Sequence, residues 1–304
     1  MNLSSRTRGI LWEINATICF TFLVTLVKYA SKEVPSPVVA FLRTLIGAAF
    51  TIPIAYRQGV QRPSSGTYQW YILRSLCAMA TVNAVFYASS TLPLSIFTAI
   101  SYTEPMIQLV LAILFFGATV TVKHWFLIGL GYAGVFIIAY SKMTTEQGEV
   151  QAITSFLIGV IVALLASLFI SLIKAITKRL TNQEPPQQVL FYSNLLNIVF
   201  GSLTLVFYLF LTNTPFPETI LLPSATCLLA LLGIGFSGFL LQYSMTKALS
   251  LTEMHILSPI TYLRLLFALP VSYYFYAEVP TWTTLGGSLI IIGANFFLLQ
   301  PKEK

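Results

Sequence analysis

The sequence predicts an all-α integral membrane protein with ten transmembrane helices in two inverted five-helix repeats. Its 304 residues are 56% hydrophobic and only 9% charged, whereas soluble domains carry about 25% charged residues. The mean hydropathy is +0.80. A chain with so little charge cannot cover a water-exposed surface, so the composition excludes a cytosolic enzyme, a disordered protein and a disulfide-stapled secreted domain.

Long apolar stretches predict the individual spans, because a membrane helix needs about 20 apolar residues. Their runs are continuous rather than alternating, which disfavours an outer-membrane barrel. The third and fourth stretches almost touch and are expected to form a tight helical hairpin at Pro93. The ten stretches are residues 9–30, 36–55, 69–90, 94–116, 124–141, 153–174, 188–211, 222–246, 254–277 and 281–299.

A polar segment at residues 142–152 divides the chain into two similar halves. We expect a first repeat at 1–141 and a second at 153–304, each with five spans. Trp125 and Trp282 each precede a glycine-rich helix near the end of a half, at an offset of roughly 160 residues. An odd number of spans inverts one half relative to the other, as in many secondary transporters with a substrate site near the midplane. Chance similarity between two apolar helices is the alternative.

The basic residues predict the topology. Placing the N-terminus in the cytoplasm leaves eleven Lys and Arg residues on the cytoplasmic side and three outside. By the positive-inside rule we expect both termini in the cytoplasm of a multi-pass protein of the cell (inner) membrane. The net charge of +7 then marks topology, and no nucleic-acid partner is expected. The expected partners are the lipid bilayer and a small-molecule substrate, and a homodimer is left open.

Four charged residues inside the predicted spans are the main functional candidates: Glu13, Arg43, Glu104 and Arg264. A charge at the centre of a span costs about 2.5–3.5 kcal/mol on insertion scales, so it usually faces a cavity or a partner. Glu104 and Arg264 occupy equivalent positions in the two halves at the offset given above. Inverted repeats would bring this acid and this base to the same midplane cavity.

These residues predict a binding site for a zwitterionic solute. Arg264 is expected to hold a carboxylate in a two-pronged hydrogen bond, and Glu104 or Glu13 an ammonium or sulfonium group. Tyr102 and Tyr262 are placed to stack on a ring or cover a cation. Arg43 lies deep enough to line the same cavity.

Two other interpretations remain open for the same residues. The first is a structural Glu104–Arg264 ion pair that only orients the halves. The second has Glu104 or His255 carrying a coupling proton. Arg74 and Lys174 lie nearer span ends and are expected to snorkel to the headgroups.

The sequence predicts no catalytic, cofactor or metal site. Cys19, Cys77 and Cys227 lie in apolar spans and are interpreted as packing residues. The chain has two histidines, and neither an H-E-x-x-H, a G-x-S-x-G nor a phosphate loop occurs. We therefore do not expect an enzyme or an ATP-driven pump, and a membrane-embedded enzyme or a channel is a minor alternative.

Five segments of the chain carry a family resemblance. They are Phe41-Leu42-Arg43-Thr44-Leu45, Leu73-Arg74-Ser75-Leu76, residues 99–117, Leu172-Ile173-Lys174-Ala175 and Tyr276-Ala277-Glu278. These segments resemble motifs of the EamA-type branch of the drug/metabolite transporter superfamily, and the resemblance covers nearly all of the chain. Ala118 stands where the family usually has an acid, and Arg264 is unusual in its helix. The resemblance implies ten helices, two inverted repeats and alternating access.

Within that family, the third to fifth helices most resemble the S-adenosylmethionine uptake transporters of intracellular bacteria. This resemblance implies a secondary transporter, with S-adenosylmethionine uptake or exchange as the leading function. That solute carries an amino-acid head and a sulfonium, which agrees with a zwitterion site. The alternative is an exporter of amino acids or drug-like metabolites coupled to protons.

Overall fold

Every regular element in the described part of the chain is helical. The computed structural model describes residues 4–116, 125–127, 129–134, 136–137, 150–212, 224–257, 260–261, 263–276 and 282–298. Within these ranges, six helices are long and apolar enough to cross a membrane.

The first half contains five helices before residue 117. They are α1 (Ser5–Ala30), α2 (Ser36–Gln58), α3 (Tyr68–Thr91), α4 (Leu94–Ser101) and α5 (Glu104–Phe116). The first three cover the first three predicted spans, and α1 begins at an N-cap in which Ser4 Oγ accepts from the Thr7 N–H at 3.1 Å. Two residues separate α3 from α4, so the connection between them is as short as predicted.

Six further helices lie in the described residues of the second half. They are α6 (Val150–Thr181), α7 (Pro186–Thr212), α8 (Ala225–Leu251), α9 (Met254–Leu257), α10 (Leu263–Tyr276) and α11 (Trp282–Leu298). Helical residues also occur at 125–127 and 129–134, inside the predicted fifth span. Helix α6 begins within the predicted linker 142–152, of which residues 142–149 lie outside the described ranges.

One predicted span is divided in the structure. The stretch 94–116 forms α4 and α5, separated by a turn at Tyr102 and Thr103. The described residues of the stretch 254–277 are α9, the helical residues 260–261 and α10. Hydropathy does not report such a break, because both parts remain apolar. Pro105 is the local signal, since proline is tolerated in the first turn of a helix but not in its interior. Broken helices place backbone ends at membrane depth, where they line a cavity or bind a solute.

The two halves interlock. Helix α1 packs on α8 and α3 packs on α6, while α2 packs on α7 and α8. The first of these contacts is close, because a Cβ at Gly9 would lie 1.9 Å from Thr252 Oγ1. The main hydrophobic cluster accordingly contains residues of both halves, such as Phe86 of α3 and Phe156 of α6.

The turn between α1 and α2 is tied to the start of α8. Glu33 accepts hydrogen bonds from the backbone N–H of Ser224 at 2.9 Å and from its hydroxyl at 2.8 Å. Ser224 is itself the N-cap of α8. These hydrogen bonds, from the backbone first and then the side chain, lower the pKa of Glu33 below its ordinary value.

The turn between α6 and α7 makes the corresponding contact with the start of α3. Glu184 accepts from the Ser64 N–H at 3.0 Å, from the Thr67 hydroxyl at 2.6 Å and from the Tyr71 hydroxyl. Burial raises the pKa of Glu184, but these hydrogen bonds and one from Gln188 together outweigh it, so the pKa is lower than usual. Each turn thus holds the start of a helix in the other half.

Replacing Glu184 by glutamine is expected to lower the free energy of unfolding by about 1–3 kcal/mol, because hydrogen bonds to a charged acceptor become neutral ones. The depressed pKa gives the sign of the pH dependence. The ionised carboxylate stabilises the fold above the unfolded-state pKa of about 4.3, and this contribution is lost as the pH falls through the folded-state pKa. The difference in melting temperature between wild type and Glu184→Gln should therefore be largest at neutral pH. It should become smaller as the pH falls below about 4.

Glu253→Gln is the matched control, because the Glu253 side chain is 62% exposed and lies 3.3 Å from Lys178 Nζ. Water screens the exposed carboxylate, and Lys178 Nζ keeps its hydrogen bonds to the carbonyls of Leu249 and Thr252, so this variant should melt like the wild type. Equal melting temperatures for both variants at neutral pH would contradict the assignment.

Candidate functional site

A buried ion pair joins α5 to α10. Arg264 Nη1 lies 2.6 Å from Glu104 Oε1, and both side chains are buried. Glu104 is the first residue of α5 and Arg264 the second of α10, 160 residues later in the sequence. The guanidinium carbon also lies 4.0 Å from the ring centroid of Phe20. The structure thus brings together the two residues that the offset between the halves relates.

A second buried ion pair has the same sequence relation. Lys174 Nζ lies 2.9 Å from Glu13 Oε1, and the side chains are only 5% and 4% exposed. The prediction that Lys174 snorkels was wrong, because α6 continues to Thr181 and leaves Lys174 well inside the helix. The two residues are 161 positions apart. The interval that relates Glu104 to Arg264 would therefore also have predicted Lys174 as the partner of Glu13.

Arg74 is also buried, and the prediction that it snorkels was wrong. Its side chain is fully enclosed because α3 packs against α6. Arg74 Nε donates to Thr177 Oγ1 at 2.8 Å and Nη2 donates to Gln242 Oε1 at 3.3 Å. These two bonds tie α3 to α6 and α8.

The central cavity lies between six helices, and its space not filled by atoms is about 770 Å³, including the part that opens to the outside. Its charged lining residues are Glu13, Arg43, Lys174 and Arg264, and most of its remaining wall is apolar. Arg43 and Gln242 also line a smaller adjoining cavity of about 250 Å³. The wall of this second cavity is polar. Its remaining lining residues are Thr44, Gly47, Asn194, Asn197, Gly238 and Phe239.

The other predicted site residues occupy different positions. Glu104 and Tyr102 are fully buried but are not among the residues that line the central cavity. Glu104 instead contacts Arg264, which lines the central cavity. Tyr262 and the side chain of His255 lie outside the described residues.

This arrangement suits a solute with a polar head and an apolar body. Both ion pairs are internally neutral, yet Glu13 Oε2 and Arg43 Nε are buried with no hydrogen-bond partner within the described structure. Buried polar atoms normally find a partner, and leaving one unsatisfied is costly. A bound solute could satisfy both atoms while its body contacts the apolar wall.

Comparison with known proteins identifies relatives along the full length of the chain. The S-adenosylmethionine uptake transporter of Rickettsia felis is 24% identical over 99% of this chain and 96% of its own length. The riboflavin transporter of Brucella anthropi is 25% identical over 89% of this chain and 90% of its own. The pseudopaline exporter CntI of Pseudomonas aeruginosa is 22% identical over 97% of each chain.

A solved crystal structure shares the fold. It superposes with a TM-score of 0.66 over 95% of this chain and 97% of the other, at 14% sequence identity.

The sequence model of one family matches the chain twice. The matches to the EamA-like transporter family cover residues 7–140 and 157–300. Together with the apolar helices, they make this a multi-pass membrane protein, and the names of the relatives indicate a transporter rather than an enzyme. The chain belongs to the EamA-like transporter family.

Proposed function

We propose that the protein is a secondary transporter that moves a small polar or zwitterionic metabolite across the inner membrane by alternating access. The observation that carries the proposal is the central cavity, whose charged groups come from both halves of the chain. Glu13 and Arg43 belong to the first half, and Lys174 and Arg264 to the second. A solute held by both halves can couple their relative rocking to its own passage.

Three observations support two inverted repeats with ten spans, at 1–141 and 153–304. The family model matches once in each half. The two buried ion pairs join residues 160 and 161 positions apart. The helix contacts are also reciprocal, because α1 of the first half packs on α8 of the second, and α6 of the second half packs on α3 of the first. An odd number of spans in each repeat would invert one against the other.

The leading substrate is S-adenosylmethionine, taken up or exchanged. The support is the set of relatives named for its uptake, which are 22–25% identical to this chain, and the mixed charge of the cavity. Glu13 lines the cavity and has one oxygen without a hydrogen-bond partner among the described residues, so it is assigned the positive group of the solute. The short Glu104–Arg264 contact favours the structural interpretation of that pair.

The second candidate is a proton-coupled exporter of amino acids or drug-like metabolites. Its support is the relative named as a pseudopaline exporter and the buried carboxylate of Glu13, since buried acids carry protons in many transporters. The two candidates differ in the solute moved and in the effect of a proton gradient.

In proteoliposomes, radiolabelled S-adenosylmethionine should enter in a saturable manner. Glu13→Gln should lower the initial rate by about tenfold or more, because a charge-assisted hydrogen bond to the solute is lost. Glu253→Gln, which alters an exposed acid, should transport like the wild type. If S-adenosylmethionine does not enter while amino acids move with the proton gradient, the second candidate replaces the first.

A double-mutant cycle on Glu104 and Arg264 tests the structural role of that pair. Glu104→Gln or Arg264→Gln alone leaves a buried charge unpaired and should cost about 3–5 kcal/mol in stability. The double variant removes both charges, so its loss should be well below the sum of the single losses. Thermal unfolding of the purified protein in detergent measures all four species.

The pair Lys178–Glu253 provides the reference cycle, because the Glu253 side chain is 62% exposed although Lys178 is buried. Water screens the exposed carboxylate, so the expected coupling is below about 1 kcal/mol. Additive losses at Glu104 and Arg264 would mean that the two side chains do not depend on each other, contrary to the assignment.

A further inference from the structure

The charges around the central cavity do not balance. Lys174 is paired with Glu13, and Arg264 is paired with Glu104. Arg43 also lines the cavity, and within the described ranges no carboxylate lies in ion-pair distance of it. The site therefore holds one positive charge that the protein's described side chains do not neutralise.

Arg43 is held in place rather than free to reach the membrane surface. Its side chain is only 8% exposed, and its Nε has no hydrogen-bond partner among the described residues. The backbone of α8 closes over it, because a Cβ placed at Gly238 would lie 2.5 Å from Arg43 Nε. Snorkelling, which relieves long basic side chains near span ends, is therefore not available to this residue.

The position of Arg43 marks where a polar head would lie. Arg43 and Gln242 line both the apolar central cavity and the smaller polar one. A solute can therefore place its body against the apolar wall and its head at the junction. Glu13 also lines the central cavity, and its Oε2, which has no hydrogen-bond partner in the described structure, can accept a hydrogen bond from an ammonium of the same solute.

The chemistry of the guanidinium selects the head group. A planar fork of N–H donors matches a carboxylate or a phosphate. The single negative charge of a carboxylate offsets the positive charge of Arg43 locally, whereas the second charge of a phosphate dianion would find no further unpaired cation among the described cavity residues.

We propose that Arg43 is the carboxylate-binding residue of the solute site, so that the transported solute carries a carboxylate on its polar head. This assignment rests on the proposed transport function and moves the anion-binding role from Arg264, which is occupied by Glu104, to Arg43. Substrates that lack a carboxylate are then excluded, whatever their apolar body.

Pairs of compounds that differ only in the carboxylate test the assignment. The purified protein is melted with S-adenosylmethionine or its decarboxylated form, with tryptophan or tryptamine, and with methionine or its amide, and with inorganic phosphate as the anion control. At least one carboxylate member should raise the melting temperature, and its partner without the carboxylate should bind about tenfold or more weakly. Phosphate should have no effect.

Variants on one helix separate binding from stability. Arg43→Gln should abolish the preference for the carboxylate member, and Arg43→Lys should retain part of it, because lysine keeps the charge but not the fork. Arg57→Gln alters an exposed arginine of the same helix α2 and should bind like the wild type. If Arg43→Gln does not fold, Gly238→Ala displaces the guanidinium without removing it and should weaken the same preference.

Three results would overturn the assignment: no carboxylate member stabilises the wild type, both members of every pair stabilise it equally, or Arg264→Gln rather than Arg43→Gln removes the preference. Carboxylate-dependent binding without saturable flux in proteoliposomes would instead overturn the transport function and leave Arg43 as the binding residue. The two proposals therefore fail separately.

Discussion

Charged side chains that are buried away from water must be paired, and this requirement governs the structure. A charged side chain in a membrane span is costly, and the described spans bury Glu13, Glu104, Lys174 and Arg264 as two ion pairs. Each pair takes its acid from the first half and its base from the second. Removing either partner leaves a buried charge unpaired, so each half depends on the other to neutralise its buried charges. The pairs thus make the interface between the halves specific, while the apolar contacts of α1 with α8 and α3 with α6 supply its area.

The start of α5 bears on where the Glu104–Arg264 pair lies. A helix start carries a partial positive charge, which favours an acid. Glu104 is the first residue of α5 and is therefore favourably placed. Its ion pair with Arg264 of α10 joins the two halves next to the cavity.

Hydropathy and positional offset predicted different parts of the molecule with different success. The spans of α1, α2 and α3 follow from apolar length alone, because that length is what the bilayer requires. The break between α4 and α5 could not be predicted from apolar length, because both parts of the span are apolar. Pro105 is the local signal for it. The offset related Glu104 to Arg264, but Lys174 and Arg74 were misassigned because the length and packing of α6 cannot be read from one sequence.

Access to the central cavity from both sides of the membrane is the most direct test of alternating access. Thr17 lines this cavity and can be changed to cysteine in a chain whose Cys19, Cys77 and Cys227 are replaced by alanine. A membrane-impermeant maleimide should label this position to completion from the cytoplasmic side, and equally from the outer side, with the opposite side quenched each time. Labelling from one side only, or from neither, would contradict alternating access through this cavity.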